Sequence, residues 1–490
     1  MSIRLHNTLS RQKTEFVPVV PGKVGMYVCG VTQYDSAHIG HGRMIVVYGA
    51  IVGYLRRKGY EVTYVCNHTD VDDKIIDRAR EKARDPMELA EFFINEYEQD
   101  VDAMRILKPD IEPRATEHIP EIIDLVSTLI DKGYAYEADG DVYFDIEKFD
   151  GYGKLSGQDL SELEAGGRVE PSPKKRNPLD FGLWKASKPG EPAWDSPWGT
   201  GRPGWHIECS AMSMKYLGST FDIHTGGPEL IFPHHENEVA QSECATGKPF
   251  AKYWMHHGTL DFAGDKMSKS IGNVITIRDF LAEHPPEVLK FIYLRHHYRS
   301  PIKFSDQAVR EAETALERLY STLAEATEIA AGSPPALPKG DPDEPVASRI
   351  RGLPELFDEA MDDDFNTAQA IAHVFELVRV LNQYIAEVRE SPTKRARGIL
   401  AAAVQAIRGV GEPISLFQEE PQQFLMELAE KRGRQLQIQE EDIVRLIAER
   451  AEARDNRNYR RADEIRSYLL SQGVVLEDKA GGTTWRLASE

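Results

Sequence analysis

Two histidines lie three positions apart near the start of the chain, in the segment His38-Ile39-Gly40-His41. An imidazole can hydrogen-bond a phosphate oxygen or a negative charge that develops during a reaction. Gly40 has no Cβ, so a ligand can approach the backbone closely there. The segment falls between a predicted strand and a predicted helix, and a helix N-terminus offers free N–H groups to phosphate. The pattern predicts a phosphate site, although alone it is equally compatible with two surface histidines in a turn.

A second candidate for phosphate binding lies much further along, in Lys266-Met267-Ser268-Lys269-Ser270. Two lysines on a polar loop can neutralise a polyphosphate and close over it. The alternative is an ordinary solvated basic loop. The chain contains neither a Walker A match nor a GxGxxG match, which disfavours other nucleotide-binding folds.

A third group of residues has the chemistry of a metal site. His234 and Glu238 are four positions apart, so on a helix both side chains project from one face. With Cys29 and Cys209 they supply two thiolates, one imidazole and one carboxylate, a donor set that suits zinc. The alternative for the two cysteines is that they are small buried side chains. Four other residues remain as candidate hydrogen-bond partners or buried thiols: His224, His235, Cys66 and Cys244.

The first third of the chain has the pattern of a βαβ unit. Residues 24–29 and 62–66 are short apolar runs typical of buried strands, and residues 44–58 have helical periodicity before Gly59. Such units build parallel sheets, and ligands bind at the carboxyl ends of their strands. Cys29 and Cys66 both lie at such ends, and Cys29 precedes the histidine motif in the same loop.

The later regions differ in pattern. Residues 114–203 read as an insertion, with a helix at 119–132, strands near 134–136 and 142–144, and a polar stretch rich in Pro and Gly. Five prolines between positions 334 and 345 indicate a linker. Helical periodicity dominates from about residue 347 to residue 470.

Composition limits the alternatives. The 490 residues carry 59 Lys and Arg against 79 Asp and Glu, for a net charge of -20, and 41% are hydrophobic. This excludes a wholly disordered chain, and no apolar run approaches the ~18 residues that a membrane span needs. Four cysteines and the lack of a secretory signal pattern predict a reducing, cytoplasmic location. The acidic total argues against a general nucleic-acid coat protein, but local basic patches can still bind RNA.

Together, the histidine motif and the lysine loop resemble the two hallmark motifs of class I aminoacyl-tRNA synthetases, in the expected order. Further segments resemble the cysteinyl-tRNA synthetase family over nearly the whole length: Tyr27-Val28-Cys29-Gly30, residues 67–74, 201–210, 232–238, 361–367, 473–478 and 483–485. The resemblance implies an α/β fold with a Rossmann-type parallel-sheet catalytic domain and an inserted connective domain, followed by an α-helical bundle and a small C-terminal anticodon-binding domain. The domains expected are a catalytic first half at 1–113, the insertion at 114–203, the catalytic second half at 204–262, the KMSKS loop and stem-contact region at 263–330, a linker at 331–346, the bundle at 347–415 and the anticodon-binding domain at 416–490.

The same resemblance implies an activity and its residues. A cysteine–tRNA ligase activates L-cysteine with ATP to cysteinyl-adenylate, then transfers it to the 3′-terminal adenosine of tRNA-Cys. The family's zinc ligands fall at Cys29, Cys209, His234 and Glu238. Its ATP-binding positions fall at His38, Gly40, His41 and Lys269, and its catalytic positions at His38, His41, Lys266 and Lys269. Its amino-acid pocket falls at Thr69, Trp205 and Glu229. One Zn²⁺ per chain and Mg²⁺ with ATP are expected, and the protein is expected to be a monomer that binds no membrane.

An enzyme of this kind must distinguish cysteine from serine, and a zinc ion can provide that distinction. Serine is nearly isosteric with cysteine, and shape alone separates such analogues only modestly. A thiolate is a strong zinc ligand and a hydroxyl is a poor one, so zinc that binds the substrate would make the distinction. A closed structural zinc site is the alternative.

Glu229 stands where the family commonly has Asp, and Gln33 stands where an apolar residue is expected.

The C-terminal part shows arginines with helical spacing: Arg450, Arg454, Arg457 and Arg461. On one helix they would form a basic stripe that can follow a phosphate backbone. By resemblance, positions associated with anticodon reading are Arg454, Asp463 and Asp478, and Tyr459 keeps a stacking surface where the family has Trp. Three other functions remain open at this point: a ligase that joins cysteine to an amino-sugar, whose members lack the C-terminal domain, a non-catalytic zinc- and RNA-binding homologue, and a nucleotide-binding protein with structural zinc and another substrate.

Overall fold

The computed structural model describes residues 2–158, 173–262, 265–266, 274–337, 344–435, 440–456, 458–471, 474–479 and 482–487. The first part of the chain forms a hairpin and one βαβ unit. Its elements are β1 (Arg4–Asn7), β2 (Gln12–Glu15), β3 (Lys23–Val28), α1 (Ile39–Arg57), β4 (Glu61–Cys66), α2 (Asp73–Glu81) and α3 (Pro86–Ala103). Because β3 and β4 pair in parallel and α1 connects them, the predicted βαβ unit is confirmed.

The insertion forms a sheet of its own. Its elements are α4 (Ile119–Asp131), β5 (Ala135–Ala138), β6 (Asp141–Phe144), β7 (Phe181–Ala186) and β8 (Gly201–Pro203). The four strands are antiparallel, in the order β5-β6-β7-β8. The helix and the two strands predicted before residue 145 are present, each within two residues of the expected bounds.

The chain then returns to the first sheet. The elements of this part are α5 (Trp205–Leu217), β9 (Phe221–Gly226), α6 (Glu236–Thr246), β10 (Ala251–His256), β11 (Leu260–Phe262), β12 (Asp265–Lys266), α7 (Ile277–Glu283), α8 (Pro286–Leu294) and β13 (Ile302–Phe304). The central sheet has the order β10-β9-β3-β4, and all its neighbours are parallel. The carboxyl ends of β3, β9 and β10 therefore meet at one edge.

The rest of the chain is mainly helical. Its elements are α9 (Asp306–Ala330), α10 (Glu344–Asp362), α11 (Thr367–Val388), α12 (Lys394–Gly411), α13 (Pro421–Gln435), α14 (Glu440–Asp455), α15 (Tyr459–Ser471), β14 (Val474–Lys479) and β15 (Gly482–Leu487). One continuous apolar core joins the central sheet, α1 and the bundle of α9 to α12. The last two helices and the β14–β15 hairpin form a separate small core. Among the described residues, no helix combines the length and apolar character needed to cross a membrane.

The predicted start of the first long helix was wrong. The sequence places it at Met44, whereas α1 begins at Ile39 and includes the second half of the histidine motif. Gly40 and Gly42 disfavour a helix locally, and the residue immediately before Ile39 is not Ser, Thr, Asp or Asn. The helix starts early because two histidines cap it instead, and because nearly all of α1 is buried in the core.

A buried arginine fixes α1 against the segments around it. Arg43 is fully buried, and its guanidinium donates hydrogen bonds to the carbonyl oxygens of Thr259, Tyr298 and Ser300 at 2.5, 2.9 and 2.6 Å. Tyr298 in turn donates its hydroxyl proton to Asp364 at 3.0 Å, at the start of the bundle region. The helix that carries the histidine motif is thus tied to the rest of the molecule through polar contacts as well as the apolar core.

Candidate active site

The histidine motif forms the first turn of α1. His38 is the N-cap residue, and its Nδ1 accepts a hydrogen bond from the backbone N–H of His41 at 3.3 Å. The Nδ1 of His41 accepts from the backbone N–H of His38, also at 3.3 Å, and the two rings stack with centroids 3.6 Å apart. Because both Nδ1 atoms accept, each neutral ring carries its proton on Nε2. That tautomer can donate to a phosphate oxygen beside the positive end of α1.

The segment that follows the lysine-rich loop is hydrogen-bonded directly to this turn. The backbone N–H of Ile39 donates to the carbonyl oxygen of Ile275 at 3.0 Å, and the N–H of Ile277 donates to that of Ala37 at 2.9 Å. The C-terminal end of the loop is therefore attached to the histidine turn by the backbone itself.

The other end of the loop leaves the same region. β12 ends at Lys266 and pairs with β11, whose first residue, Leu260, lines the cavity described below. Lys269 and the side chain of Lys266 lie outside the described residues, so the contacts of both lysines stay a prediction.

The four predicted metal ligands converge below the carboxyl end of β3. One donor atom from each of Cys29, Cys209, His234 and Glu238 lies within 4.8 Å of the other three, and all four side chains are buried. Cys29 Sγ is 3.5 Å from His234 Nε2 and 3.4 Å from Glu238 Oε1, and those last two atoms are 3.0 Å apart. In a tetrahedral zinc site with thiolate and imidazole ligands, the ligand atoms are about 3.3–3.8 Å from one another. The donor set fits a tetrahedral zinc ion in its chemistry, and both distances from Cys29 Sγ fall in this range, while the 3.0 Å between His234 and Glu238 is that of a hydrogen bond.

A second histidine orients the carboxylate of this cluster. Glu238 Oε2 is 2.8 Å from His224 Nε2, which leaves Oε1 facing Cys29 and His234. His224 is thus a hydrogen-bond partner of a ligand, as the sequence suggested, and such partners fix ligand geometry. His235 contacts His256 instead, with 2.8 Å between Nδ1 and Nε2. A second possible donor set, Cys29, His224, His235 and Glu238, offers one thiolate fewer and is the weaker match for zinc.

The environment of the cluster favours the ionised forms of Glu238, His234 and Cys209, whereas burial raises the pKa of the Cys29 thiol well above its usual value. Burial raises the pKa of Glu238, but the nearby His224 and His234 outweigh it and lower the pKa to about 2. Burial lowers the pKa of His234, while the charge of Glu238 and hydrogen bonds raise it to about 10. For Cys209, burial is opposed by hydrogen bonds with Cys29 and His234, which lower the pKa to about 6. A metal binds an ionised carboxylate, thiolates and a neutral imidazole, so zinc binding would release the protons held by His234 and Cys29.

One cavity connects this cluster to the histidine turn. Its volume is about 310 Å³, and its wall includes Cys29 of the metal cluster together with His38, Gly40 and His41 of the histidine turn. The wall also includes Trp205, whose ring lies 4.4 Å from that of His234 between centroids. A molecule in this cavity can contact the metal site and the phosphate site at once.

The predicted amino-acid residues are distributed unevenly around this cavity. Glu229 lines it, and its carboxylate folds over Gly227, where a Cβ would lie 2.4 Å from Oε1. Thr69 is buried, with 2% exposure, and does not belong to the described part of the wall. Its backbone forms a bridge with Thr32, which does line the cavity. In this structure, Thr69 can therefore influence substrate binding only through neighbouring residues that do line the cavity.

Gln33, unexplained from the sequence, has a partner in the structure. It is 1% exposed, and its side-chain amide donates to His68 Nδ1 at 3.0 Å. A buried amide needs such a partner, and His68 supplies it.

Gly30 joins the metal site to the cavity and tolerates no side chain. A Cβ on Gly30 would lie 1.7 Å from the carbonyl oxygen of Asn67, a backbone atom that cannot rotate away. We expect Gly30→Ala to lower the free energy of unfolding by about 3 kcal/mol or more. Denaturant unfolding with purified protein measures this. Gly352→Ala, in a helix with open space at the Cβ, is the control and should raise stability by up to about 1 kcal/mol. Equal stabilities for Gly30→Ala and the unaltered protein would contradict the packing described.

Some cavity residues were not singled out from the sequence. Lys74, Tyr34 and His257 all line the wall. Lys74 follows the carboxyl end of β4 at the start of α2, and that position was the available signal, because loops at this edge of a parallel sheet face the ligand.

The residues predicted to read an anticodon lie in the small C-terminal unit. Arg454, Tyr459 and Asp463 are exposed on α14 and α15. Tyr459 and Asp463 are four positions apart, so they share one helix face. Asp478 lies on β14, opposite Thr483 of β15.

The predicted basic stripe was wrong at its first member. Arg450 is 5% exposed and donates to Thr483 Oγ1 at 3.2 Å, so it belongs to the interior of the unit. Arg461 pairs with Glu449 at 2.8 Å, and Arg457 lies outside the described residues. Helical spacing alone could not show that the β14–β15 hairpin packs on one side of these helices.

Comparison with known proteins agrees with the geometry. Residues 15–314 match the family described as tRNA synthetases class I (C) catalytic domain, residues 356–418 match the DALR domain, and residues 440–486 match the cysteinyl-tRNA ligase anticodon binding domain. A methionyl-tRNA synthetase of Mycobacterium tuberculosis, solved with methionyl-adenylate, shares the fold with a TM-score of 0.64 at 16% identity, over 82% of this chain and 93% of that one. The parallel sheet, the histidine turn at its edge and the matched catalytic domain define a class I aminoacyl-tRNA synthetase.

The more specific assignment comes from sequence relatives. A cysteine–tRNA ligase of Geobacter metallireducens is 55% identical over 99% of this chain and 100% of its own length, and that of Geobacter sulfurreducens is 54% identical over the same shares. The chain belongs to the cysteine–tRNA ligase family.

Proposed function

We propose that this protein activates L-cysteine with ATP and transfers it to the 3′-terminal adenosine of tRNA-Cys. The observation that carries the proposal is the single cavity of about 310 Å³ whose wall includes both Cys29 of the metal cluster and His38, Gly40 and His41 of the histidine turn. A cysteine bound by its thiol at the metal cluster directs its carboxylate towards a nucleotide held at the histidine turn. Alignment of two reactants in this way supplies much of the rate enhancement in such reactions.

Cys29, Cys209, His234 and Glu238 would hold one Zn²⁺. Bound zinc supplies a Lewis acid that prefers the thiolate of cysteine to the hydroxyl of serine. Cys29 belongs to both the donor set and the cavity wall, which favours a site open to substrate over a closed structural site. His224 holds the Glu238 carboxylate in place through its hydrogen bond to Oε2.

The activation step needs no protein base, because the substrate carboxylate is already a nucleophile. His38 and His41 donate from Nε2 to the phosphates of ATP, and Gly40 allows the nucleotide to approach the backbone of α1. Lys266 and Lys269 neutralise the α- and β-phosphates and the departing diphosphate, with Mg²⁺ accompanying ATP. The attachment of the loop's C-terminal end to Ala37 and Ile39 supports this assignment, since it brings the loop to the histidine turn.

Two residues complete the amino-acid pocket in this proposal. Glu229 accepts the substrate ammonium group, and Trp205 forms the wall beside the metal ligand His234. Thr69 supports the wall through its backbone bridge to Thr32.

The C-terminal unit binds the anticodon of the tRNA. Arg454 contacts phosphate or bases, Tyr459 stacks on an unpaired base, and Asp463 and Asp478 accept hydrogen bonds from base edges. The match of residues 440–486 to an anticodon-binding domain supports this assignment and disfavours a ligase that acts on an amino-sugar. The division into seven segments given above is proposed to correspond to functional domains. The monomeric state and the cytoplasmic location stay predictions.

The test is charging of a tRNA-Cys transcript with labelled L-cysteine, ATP and magnesium by zinc-replete protein. We expect cysteine-dependent charging, and we expect chelation of the metal to abolish it while circular dichroism shows a folded protein. The physical reason is that the donor set borders the cavity, and that Cys29 and Cys209 belong to a small apolar cluster separate from the largest core of the molecule. Labelled serine in place of cysteine is the control and should give charging near background.

Two results would contradict the proposal. Absence of charging by folded, zinc-replete protein on a tRNA-Cys that another cysteine–tRNA ligase charges would remove the synthetase assignment. Unfolding on metal removal would favour the structural site.

A further inference from the structure

Lys74 occupies an unusual position at the cavity. It is the only lysine or arginine in the cavity wall as far as the described residues show, and it forms no ion pair with any described carboxylate. Its Nζ lies 5.8 Å from the ring centroid of Tyr34 and 5.9 Å from that of Trp205. Both distances are those of cation–π contacts, so two aromatic rings hold the ammonium group beside the cavity.

The backbone around Lys74 is fixed by neighbouring carboxylates. Asp72 is the N-cap of α2, and its Oδ1 accepts from the backbone N–H of Lys74 at 3.0 Å. Asp73 receives Lys185 Nζ at 2.6 Å and also pairs with Arg202. Neither acidic neighbour therefore pairs with the ammonium group of Lys74, because Asp72 caps the helix and Asp73 anchors it to the insertion.

The ion pair between Asp73 and Arg202 also links Lys74 to the part of the cavity wall that contains Trp205. Arg202 is 4% exposed at the side chain and lies on β8, three positions before Trp205. The pairing of Asp73 with Arg202 thus ties the start of α2 to the start of α5. It fixes Lys74 and Trp205 relative to each other, and Trp205 contacts the metal ligand His234.

One charged group of a bound cysteine, its carboxylate, has no partner of opposite charge among the residues assigned so far. A bound cysteine presents a thiolate to the metal, an ammonium group to Glu229 and a carboxylate that needs a cation. We infer that Lys74 binds the carboxylate of the amino-acid substrate and holds it for attack on ATP. This inference rests on the proposed function, since it takes cysteine as the substrate.

The carboxylate is favoured over the nucleotide phosphates by position. The phosphate end of the cavity is formed by the histidine turn at the N-terminus of α1. Lys74 instead lies over Trp205, which packs on a metal ligand at the thiol end. A cysteine whose thiol is held at that end has its carboxylate only three bonds from the sulfur.

The test compares two ligands that differ only in the carboxylate. L-Cysteine and cysteamine are titrated calorimetrically into zinc-loaded protein, without ATP or tRNA, for the unaltered chain and for Lys74→Met. Methionine keeps an apolar stem against Tyr34 and Trp205 but lacks the charge. We expect Lys74→Met to weaken cysteine binding by about 10-fold and to leave cysteamine binding unchanged, as for loss of a charge-assisted contact at an exposed site. Lys74→Arg should recover most of the cysteine affinity.

Lys82→Met is the matched control. Lys82 caps the end of α2 and lies over Phe93 at 5.1 Å, in a cation–π contact away from the cavity. It should leave the ratio of cysteine to cysteamine affinity as it is in the unaltered protein. An unchanged ratio in Lys74→Met would overturn the inference, and so would a weakening confined to ATP in a parallel titration. Because binding is measured without catalysis, the result can be read even if the unaltered protein charges no tRNA.

Discussion

Cys209→Ser is expected to lose tightly bound zinc and, with it, the binding of cysteine. The Cys209 side chain is buried among Cys29, His234 and Glu238, and serine offers a poor ligand in the same space. A structural zinc site supplies about 10–16 kcal/mol from four ligands, so loss of one ligand costs about 3–4 kcal/mol, roughly 10²- to 10³-fold in zinc affinity. Zinc content after dialysis against a chelator measures the first effect, and calorimetric titration with cysteine measures the second.

Cys244→Ser is the control for this substitution. Cys244 is also a buried cysteine, on α6, but it packs in the core of the insertion and is no member of the donor set. It should retain zinc at one ion per chain and bind cysteine normally. Full zinc retention and normal cysteine affinity in Cys209→Ser would show that this thiol is not a ligand.

The sequence could predict that the metal ligands lie close together, because the parallel strands of the sheet bring the loops that carry them to one edge. Cys29 follows β3, and the sheet is parallel, so residues from loops after different strands meet at one edge. His234 and Glu238 were placed together by their spacing of four, and the structure confirms that they face the same side. The remaining ligand, Cys209, depended on the family resemblance, since nothing local brings α5 to β3.

Other features depended on tertiary contacts that no local pattern reveals. The early start of α1 requires reciprocal capping by His38 and His41, which propensities for single residues do not describe. Arg450 turned inward because Thr483, in a hairpin 33 residues later, covers it. The position of Lys74 after β4 could be read from the sequence, but its contacts with Tyr34 and Trp205, which lie far from it in sequence, could not.

The second large effect is expected at His41, where two functions of one imidazole can be separated. Its Nδ1 caps α1 by accepting from the backbone of His38, and its Nε2 carries the proton available for phosphate. Asparagine can retain the capping contact but has no atom at the position of Nε2. We therefore expect His41→Asn to remain folded yet slow adenylate formation by about 10²- to 10³-fold, as for loss of one oxyanion donor. Cysteine-dependent exchange of labelled diphosphate into ATP measures this step without tRNA.

His41→Gln is the comparison that decides between the two functions. Glutamine at this N3 position can cap the helix through its carbonyl oxygen, as in a capping box, and its amide N–H extends to the region of Nε2, so it should keep more exchange activity than His41→Asn. Its thermal stability should be no lower than that of His41→Asn, because Gln is favoured at N3 and is the better helix former. Higher exchange activity in His41→Gln than in an equally stable His41→Asn would confirm that Nε2 serves the reaction while Nδ1 serves the helix. If both properties instead fall together in the two variants, the effect of His41 is confined to the folding of α1, and the phosphate contact must be assigned to His38 alone.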